Sequence, residues 1–236
     1  MAKAKQNLRS QEIGNKGALT HARILKATAS LMAKRSIRDL KVAEIGSLAA
    51  VSASTFYVYF ESVPDAALAV VEELDQATPE VMAILGRAWT RETVFTDAKA
   101  LVQAYMAYWD DHHAILHVRN FVADEGDRRF LAARRRSSDP IHIALQAKIR
   151  QFQATDPQAP KLHPPSAATV LMATLERTSA IVRFPSTHKA TRPRQIETVA
   201  FLIASVMVGA ADGLVASDPL ADAGRDVAPR GRARGA

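Results

Sequence analysis

Cysteine is absent from the 236-residue chain, so no disulfide framework can stabilise its fold. A chain of this length can bury a core large enough to do without such cross-links. The N-terminal residues lack the apolar run of a secretory signal, and no stretch approaches the roughly 20 apolar residues that span a bilayer. We therefore expect a cytoplasmic protein that has no membrane partner.

Motifs that carry enzymatic chemistry are also missing. The chain has no cysteine nucleophile, no G-x-S-x-G elbow and no glycine-rich loop that would cradle a phosphate. His113 and His117 have the spacing of a zinc-binding helix, but Ala114 stands where a zinc protease has its glutamate. We expect no catalytic residue, no metal site and no cofactor. An all-α enzyme acting on an apolar small molecule is the alternative function, and a helical protein-interaction module is a third.

Alternating runs of β-branched residues are absent as well, whereas apolar residues recur every three or four positions from about residue 18 to 214. This pattern predicts an all-α fold. Turn-forming residues predict breaks that include 137–140 and the proline-rich stretch 154–165, after which Ser166 caps a helix over about 166–183. A last helix is predicted over about 194–214, and the tail from 216 has too little apolar surface to fold.

The positive charge is concentrated at the start of the chain. Residues 1–60 hold ten Lys or Arg residues but three acidic ones, while the whole chain has a formal net charge of +7. A basic N-terminal region on a nearly neutral remainder indicates a polyanionic partner, although a solvated basic face explains the charge equally well. Residues 1–17 form a basic arm that we expect to be flexible.

Three short helices fit the basic region, over about 20–34, 42–49 and 53–60. Phe56 and Phe60 point inward from the third helix, and Leu48 is among the residues predicted to point inward from the second. The three residues between the second and third helices allow only a tight turn, which makes the two helices cross steeply. This arrangement predicts a helix-turn-helix that enters the major groove of DNA.

The stretch "SASTFYVY" supplies the DNA contacts in this hypothesis. Ser52 caps the third helix, its small polar first turn can approach base edges, and the two tyrosines can donate hydrogen bonds to phosphate. Core packing of either tyrosine is an equally good interpretation when that tyrosine is considered alone. A lysine before the second helix adds a further phosphate contact. The predicted DNA-binding residues are Lys41, Ser52, Ala53, Ser54, Thr55, Tyr57 and Tyr59.

The segment "ILKATASLMAKRSIRDLKVAEIGSLAAVSASTFYVYFESVPDAAL" resembles the DNA-binding domain of TetR-type transcriptional regulators. The matching positions are Val42, Ile45, Ala49, Val51, Ser52, Thr55, Phe56, Tyr57, Tyr59 and Phe60. The chain departs from the family pattern at Gly46 and Ala50, where the family often has Ala and then Gly, and at Val63, where the family has a phosphate-contacting lysine. Ser62 still provides a helix cap, with Asp65 at the capping-box position.

The resemblance implies a helix-turn-helix domain over residues 18–65, a ligand-binding and dimerisation domain over 66–215, and a disordered basic tail over 216–236. It also implies a regulator of transcription, a repressor that a small apolar effector releases from double-stranded operator DNA. The apolar last two helices favour a homodimer, although burial of these helices within one domain explains their composition as well.

An aromatic-rich helix is the best source of a ligand pocket in the second domain. Plain core packing is the more common explanation for any one of these side chains, and an ion pair with a neighbouring helix is the simpler explanation for Glu176. Arg134, Arg135 and Arg136 are predicted to lie on a solvated face. The predicted pocket residues are Phe95, Val102, Tyr105, Met106, Tyr108, Trp109, His113, Phe121, Met172 and Glu176, with Ile115 and Arg119 as further possible wall and anchor residues.

Overall fold

A computed structural model describes residues 14–74, 79–181 and 191–209, and helices joined by short turns and loops make up this part of the chain. These ranges contain no β-strand, which confirms the predicted all-α fold. None of their helices is long and apolar enough to cross a membrane. The helices are α1 (Asn15–Met32), α2 (Val42–Ala49), α3 (Ala53–Tyr59), α4 (Val63–Glu72), α5 (Pro79–Leu85), α6 (Val94–Asp124), α7 (Arg128–Thr155), α8 (Pro164–Ile181) and α9 (Arg192–Val208), with a 3-10 turn at Ile37–Asp39 between α1 and α2.

The first four helices, which we call the head, pack around a core of their own. Ile24, Ile45 and Phe56 are completely buried at its centre. The rings of Phe56 and Phe60 lie 5.7 Å apart between centroids, which confirms that α3 turns both phenylalanines inward. Burying two aromatic rings from a seven-residue helix fixes which of its other side chains reach solvent.

The turn between α2 and α3 depends on Gly46 and Ala50. Ala50 adopts the left-handed conformation (φ 52°, ψ 50°), and the amide of Val51 donates to the carbonyl of Gly46 at 2.9 Å. A Cβ atom at position 46 would lie 2.8 Å from the carbonyl oxygen of Val51. Glycine is therefore required at position 46 by the close approach of the turn, while Ala50 accepts the strained conformation that glycine usually relieves.

The remaining helices, which we call the body, pack around α6 and α9. Leu101, Met106, Leu145 and Ile203 are buried in their shared core. The C-terminal end of α6 leaves this core, because Val118 and Val122 pack instead with the residues of the head. One 31-residue helix thus runs through both cores.

Ion pairs at the same junction join the head to the ends of α6 and α7. Arg38 pairs with Glu125, Arg129 pairs with Asp65, and Arg136 pairs with Glu72 at 3.0 Å. The arginine of each pair is well exposed, so water screens the pair and each adds little stability by itself. The apolar contacts of α6 and α7 are the main attachment of the head.

The predicted break at residues 137–140 is wrong, because α7 continues through Pro140. Proline has no backbone N–H, so the hydrogen bond that position 140 would donate to the carbonyl of Arg136 is missing. Both residues are exposed, so water can satisfy that carbonyl. Ile141 and Leu145 follow on the buried face of α7, and their packing holds the helix together past the proline.

Helix ends also differ from their predicted positions. The helix α1 begins at Asn15, so Lys16 and Gly17 of the predicted arm are helical. The helix α8 begins at Pro164 rather than after Ser166, because proline is favoured at the first position of a helix. The helix α9 runs from Arg192 and ends at Val208, followed by Gly209 with φ 83°.

Several predictions concern residues outside the described part of the chain. They are the greater part of the basic arm, the predicted helical residues 182–183 and 210–214, and the tail from 216. Within the described part, one predicted inward residue is wrong: Leu48 is 54% exposed, because the buried face of the short helix α2 is completed by Gly46 and Ala49 instead.

Candidate nucleic-acid interface and ligand cleft

The start of α3 forms a compact cluster of hydroxyl groups at the surface of the head. The Ser52 hydroxyl accepts from the Thr55 amide at 3.1 Å, as the sequence predicted for its cap. It also lies 2.8 Å from the Ser54 hydroxyl and 2.9 Å from the Thr55 hydroxyl. Ser52, Ala53 and Ser54 are exposed and Thr55 is half-buried. Small side chains on this tip let it approach another molecule closely, with several hydrogen-bonding groups in one place.

The two tyrosines of α3 differ in exposure. Tyr57 is 53% exposed, and its ring meets the buried Phe56 edge-on with centroids 5.6 Å apart. Tyr59 is half-buried and packs edge-on against His21 at 6.0 Å. Tyr57 therefore presents its hydroxyl to solvent on a ring that is anchored at its base, while Tyr59 belongs partly to the head core.

Lys41 is exposed immediately before α2. Its backbone amide donates to the Glu44 carboxylate at 3.3 Å, and Arg35 pairs with the same carboxylate at 2.8 Å. An ammonium group cannot accept a hydrogen bond, so the lysine side chain plays no part in capping the helix and points its charge into solvent. Val63, at the position of the family's lysine, is buried in the head core and has no polar group for a phosphate.

Seven of the ten predicted pocket residues lie in or against the body core, away from the cleft that the described residues form between the head and the body. Val102, Tyr105 and Met106 are almost completely buried, as are Tyr108 and Met172, and Phe95 packs against the same core. The seventh, Glu176, is held in an ion-pair network. Trp109 belongs to the same core, and together with His113 and Phe121 it lines an open cleft described below.

Glu176 is bound by three side chains on α6 and α7. One carboxylate oxygen accepts from Arg119 at 3.1 Å and from Asn120 at 2.9 Å, and the other accepts from Arg134 at 2.5 Å. Arg119 also donates to the Ser137 hydroxyl at 2.6 Å. The network joins α6, α7 and α8 in the interior. Arg134 is therefore not on a solvated face as predicted, because its partner is a carboxylate that α8 carries into the bundle.

The network also affects the neighbouring Tyr105. Burial raises the pKa of its hydroxyl well above the ordinary value, and the negative charge of Glu176 raises it further. Tyr105 is consequently neutral over the whole physiological range. Its uncharged side chain packs in the body core.

A cleft of about 500 Å³ lies between the head and the body. The head side consists of the end of α1 and the following turn, at Met32, Ala33, Arg35, Ser36 and Ile37. The body side consists of α6 together with the end of α8, and its lining includes Trp109, His113, Ala114, His117, Phe121 and Ala180. Sequence reasoning found three of these residues but missed the whole head side, since no periodic pattern relates residues some 80 positions apart.

The histidines of α6 do not form a metal site. No group of three or more His, Cys, Asp or Glu side chains in the described ranges is arranged to hold a metal ion. The His117 ring stacks on Phe121 with centroids 6.4 Å apart, and the His112 ring contacts Tyr108 at 5.3 Å. These histidines take part in ring packing along the helix.

Two family descriptions match the chain. "Bacterial regulatory proteins, tetR family" matches residues 24–62, and "Tetracyclin repressor-like, C-terminal domain" matches residues 81–211. Together they cover the head and the body in the order in which the helices build them. No curated protein sequence matches the chain significantly.

Solved structures share the fold over most of their length. A protein described as a transcriptional regulator from Saccharomonospora viridis, in complex with choline, is 15% identical with a TM-score of 0.61, covering 77% of this chain and 94% of its own. A TetR/AcrR-family regulator from Thermobifida fusca is 16% identical with a TM-score of 0.57, covering 78% and 96%. FadR from Bacillus subtilis, in complex with stearoyl-CoA, is 13% identical with a TM-score of 0.57, covering 81% and 100%. At such identities the likeness concerns the fold.

Proposed function

Because the chain belongs to the TetR family of bacterial transcriptional regulators, we propose that it is a homodimeric, sequence-specific repressor that a small, largely apolar ligand releases from its operator. Members of this family are DNA-binding regulators rather than enzymes. The observation that carries the proposal is the exposed polar tip of α3, on a helix whose opposite face is anchored by two buried phenylalanines. A rigid, small-residue tip of this kind is suited to the major groove.

Contacts at this tip divide into two classes. Ala53, Ser54 and Thr55 are placed to meet base edges, which carry the sequence information. Tyr57 and Lys41 expose groups that donate to phosphate, and such contacts position the head without reading sequence. The exposed Ser52 keeps the tip in shape through its cap, and the half-buried Tyr59 supports it from the core side.

Exposed apolar residues on α8 and α9 support pairing of two copies. Val170 and Ile181 are 64% and 40% exposed, and their spacing of eleven residues places them on one face of α8. Leu202 on α9 is 45% exposed. Burying these side chains against a second copy would remove apolar surface from water, and the two heads would then meet half-sites about one helical turn apart.

The helix α6 supplies a route by which a ligand alters DNA binding. Its first part packs in the body core and its last part packs in the head core, so a shift of α6 moves the head. A ligand lowers DNA affinity if it binds more tightly to the arrangement of heads that does not fit the operator. Choline and stearoyl-CoA in two structural neighbours are small molecules bound by proteins of this fold, which supports ligand control here.

Selection from a random duplex pool with the full-length protein tests this function. We expect enrichment of a pseudo-palindromic site with half-sites about 10 base pairs apart, because a two-fold dimer presents two identical tips. Enrichment of a single unpaired half-site would contradict the dimer. A pool that stays unenriched after repeated rounds would contradict sequence-specific binding.

Two variants then test the roles at the tip. Ser54→Ala should change which sequences are selected, whereas Ser47→Ala, at an exposed serine on α2 that has no assigned contact, should not. Tyr57→Phe should weaken binding to every duplex by about tenfold, the usual effect of losing a hydrogen bond to a charged group. Unchanged affinity of Tyr57→Phe at physiological salt would contradict its phosphate contact.

A further inference from the structure

Among the described residues that line the cleft between head and body, Arg35 carries the one full charge, and it is positive. Arg35 and Ser36 face it from the head, and the imidazole of His117 faces it from α6. No lining residue from the described ranges carries a carboxylate. Arg35 uses one of its five N–H groups on Glu44, so its guanidinium retains donors for another acceptor.

Apolar and aromatic surfaces complete the walls. Met32 and Ile37 contribute aliphatic surface from the head, and Trp109 and Phe121 contribute rings from α6. Trp109 is almost completely buried and belongs to the body core as well as to the cleft lining.

We propose that this cleft is the effector site and that its ligand is a small organic carboxylate with a hydrocarbon or aromatic body. The carboxylate meets Arg35 and Ser36, and the apolar part lies between Ile37 and the rings of Trp109 and Phe121. A cation is disfavoured, because the lining offers donors and positive charge but no acidic partner. This assignment rests on the proposed function, since it names the ligand that controls DNA binding.

The position of the cleft explains how such a ligand acts. Its walls belong to both the head and α6, so a molecule bound there contacts the two parts whose relative position sets the spacing of the DNA-reading tips. If Arg35 turns towards the ligand, its ion pair with Glu44 is weakened. The Glu44 carboxylate accepts from the Lys41 amide and so anchors the start of α2. Binding is thereby coupled to the helix-turn-helix directly.

Calorimetric titration of the full-length protein tests the ligand class with three probes used below micelle formation. Decanoate and 2-naphthoate carry the carboxylate on an aliphatic and an aromatic body, and decyltrimethylammonium carries the opposite charge on the chain length of decanoate. We expect at least one carboxylate to bind at one site per chain, at least tenfold more tightly than the ammonium probe. Failure of both carboxylates to bind, or binding of the ammonium probe as tight as that of the tighter carboxylate, overturns the proposal.

Variants place the binding in the cleft. Ala114→Phe on α6 and Ala33→Phe at the end of α1 should each fill the cleft and weaken carboxylate binding at least tenfold. Ala107→Phe is the matched control, because Ala107 is an exposed residue of the same helix and does not line the cleft. Arg35→Gln should remove the preference for carboxylate over ammonium. Carboxylate binding that survives both filling variants, with thermal unfolding showing that they fold, would overturn the assignment.

A DNA-binding experiment distinguishes this proposal from the proposed function. With the selected duplex, the carboxylate that binds should lower DNA affinity for the wild type and for Ala107→Phe but not for Ala114→Phe. Specific DNA binding with no response to a bound carboxylate would overturn the effector role alone. Carboxylate binding in the cleft of a protein that selects no sequence would overturn the proposed function while leaving the site.

Discussion

Breaking the ion-pair network around Glu176 should destabilise the fold strongly. The Glu176 side chain is 14% exposed and that of its partner Arg119 is 5% exposed. Removing one member of a buried pair leaves the other as an uncompensated charge, which costs roughly 3–5 kcal/mol. The substitution Glu176→Gln removes the charge but keeps an oxygen that can accept from Arg119 or Asn120, so we expect a loss near the lower end, about 3 kcal/mol.

The second pair of Glu176, with Arg134, adds less. The Arg134 side chain is 30% exposed, and water therefore screens its loss. For a chain of this size, about 3 kcal/mol corresponds to a fall of roughly 6–12 °C in melting temperature. Denaturant unfolding measures the free energy of unfolding, and calorimetry measures the melting temperature. Both are done at one fixed protein concentration, because pairing of copies would alter the apparent stability.

A matched control is available at Glu197, which pairs with Lys99 at 3.2 Å where both side chains are well exposed. The substitution Glu197→Gln should cost less than about 1 kcal/mol. The double variant Arg119→Met, Glu176→Met should cost less than the sum of its single changes, because it leaves neither charge alone. A loss for Glu176→Gln as small as that for Glu197→Gln would refute the reasoning.

Three further predictions follow from single positions. The substitution Gly46→Ala should weaken both stability and DNA binding, because its Cβ would lie 2.8 Å from the Val51 carbonyl oxygen and must displace the turn before α3. Such overpacking costs roughly 1–3 kcal/mol. A variant with the stability and DNA affinity of the wild type would contradict this prediction. The raised pKa of Tyr105 means that the unfolded chain loses this proton at lower pH than the folded chain, so stability should fall as pH rises above the ordinary tyrosine pKa near 10. The substitution Tyr105→Phe should remove that part of the fall. An equal fall in the unfolding free energy of wild type and variant from about pH 9 to 11 would contradict this prediction. The substitution Pro140→Ala should stabilise α7, by up to about 3 kcal/mol, because it restores an amide donor within the helix; denaturant unfolding that shows a loss would contradict it.

The head was largely predictable from its sequence because its signals are local. Ser52 and Ser62 cap the helices that they precede, and the spacing of Phe56 and Phe60 fixes the buried face of α3. Capping and i, i+4 periodicity act over a few residues, and no distant contact reverses them. The prediction for Leu48 was wrong, because the close packing at Gly46 and Ala49 turns the buried face of α2 away from it.

The body was less predictable because its features depend on contacts between distant helices. Pro140 signals a break locally, but the apolar packing of α7 outweighs that signal. Glu176 on α8 pairs with arginines on α6 and α7, more than 40 positions away. The cleft brings Arg35 opposite α6 across a still larger separation of some 80 positions. Composition shows that aromatic residues are present, but only packing decides which of them enclose space.

The most direct test of the central claim is an equilibrium titration of the full-length protein against the duplex recovered by selection and against a scrambled duplex of equal length, both at physiological salt. A sequence-reading tip on α3 predicts tighter binding of the selected duplex by roughly three orders of magnitude or more, the range usual for specific regulators. It also predicts that affinity for both duplexes falls steeply as salt is raised, since phosphate contacts release counterions. Equal affinity for the two duplexes would contradict the claim that this protein is a sequence-specific regulator.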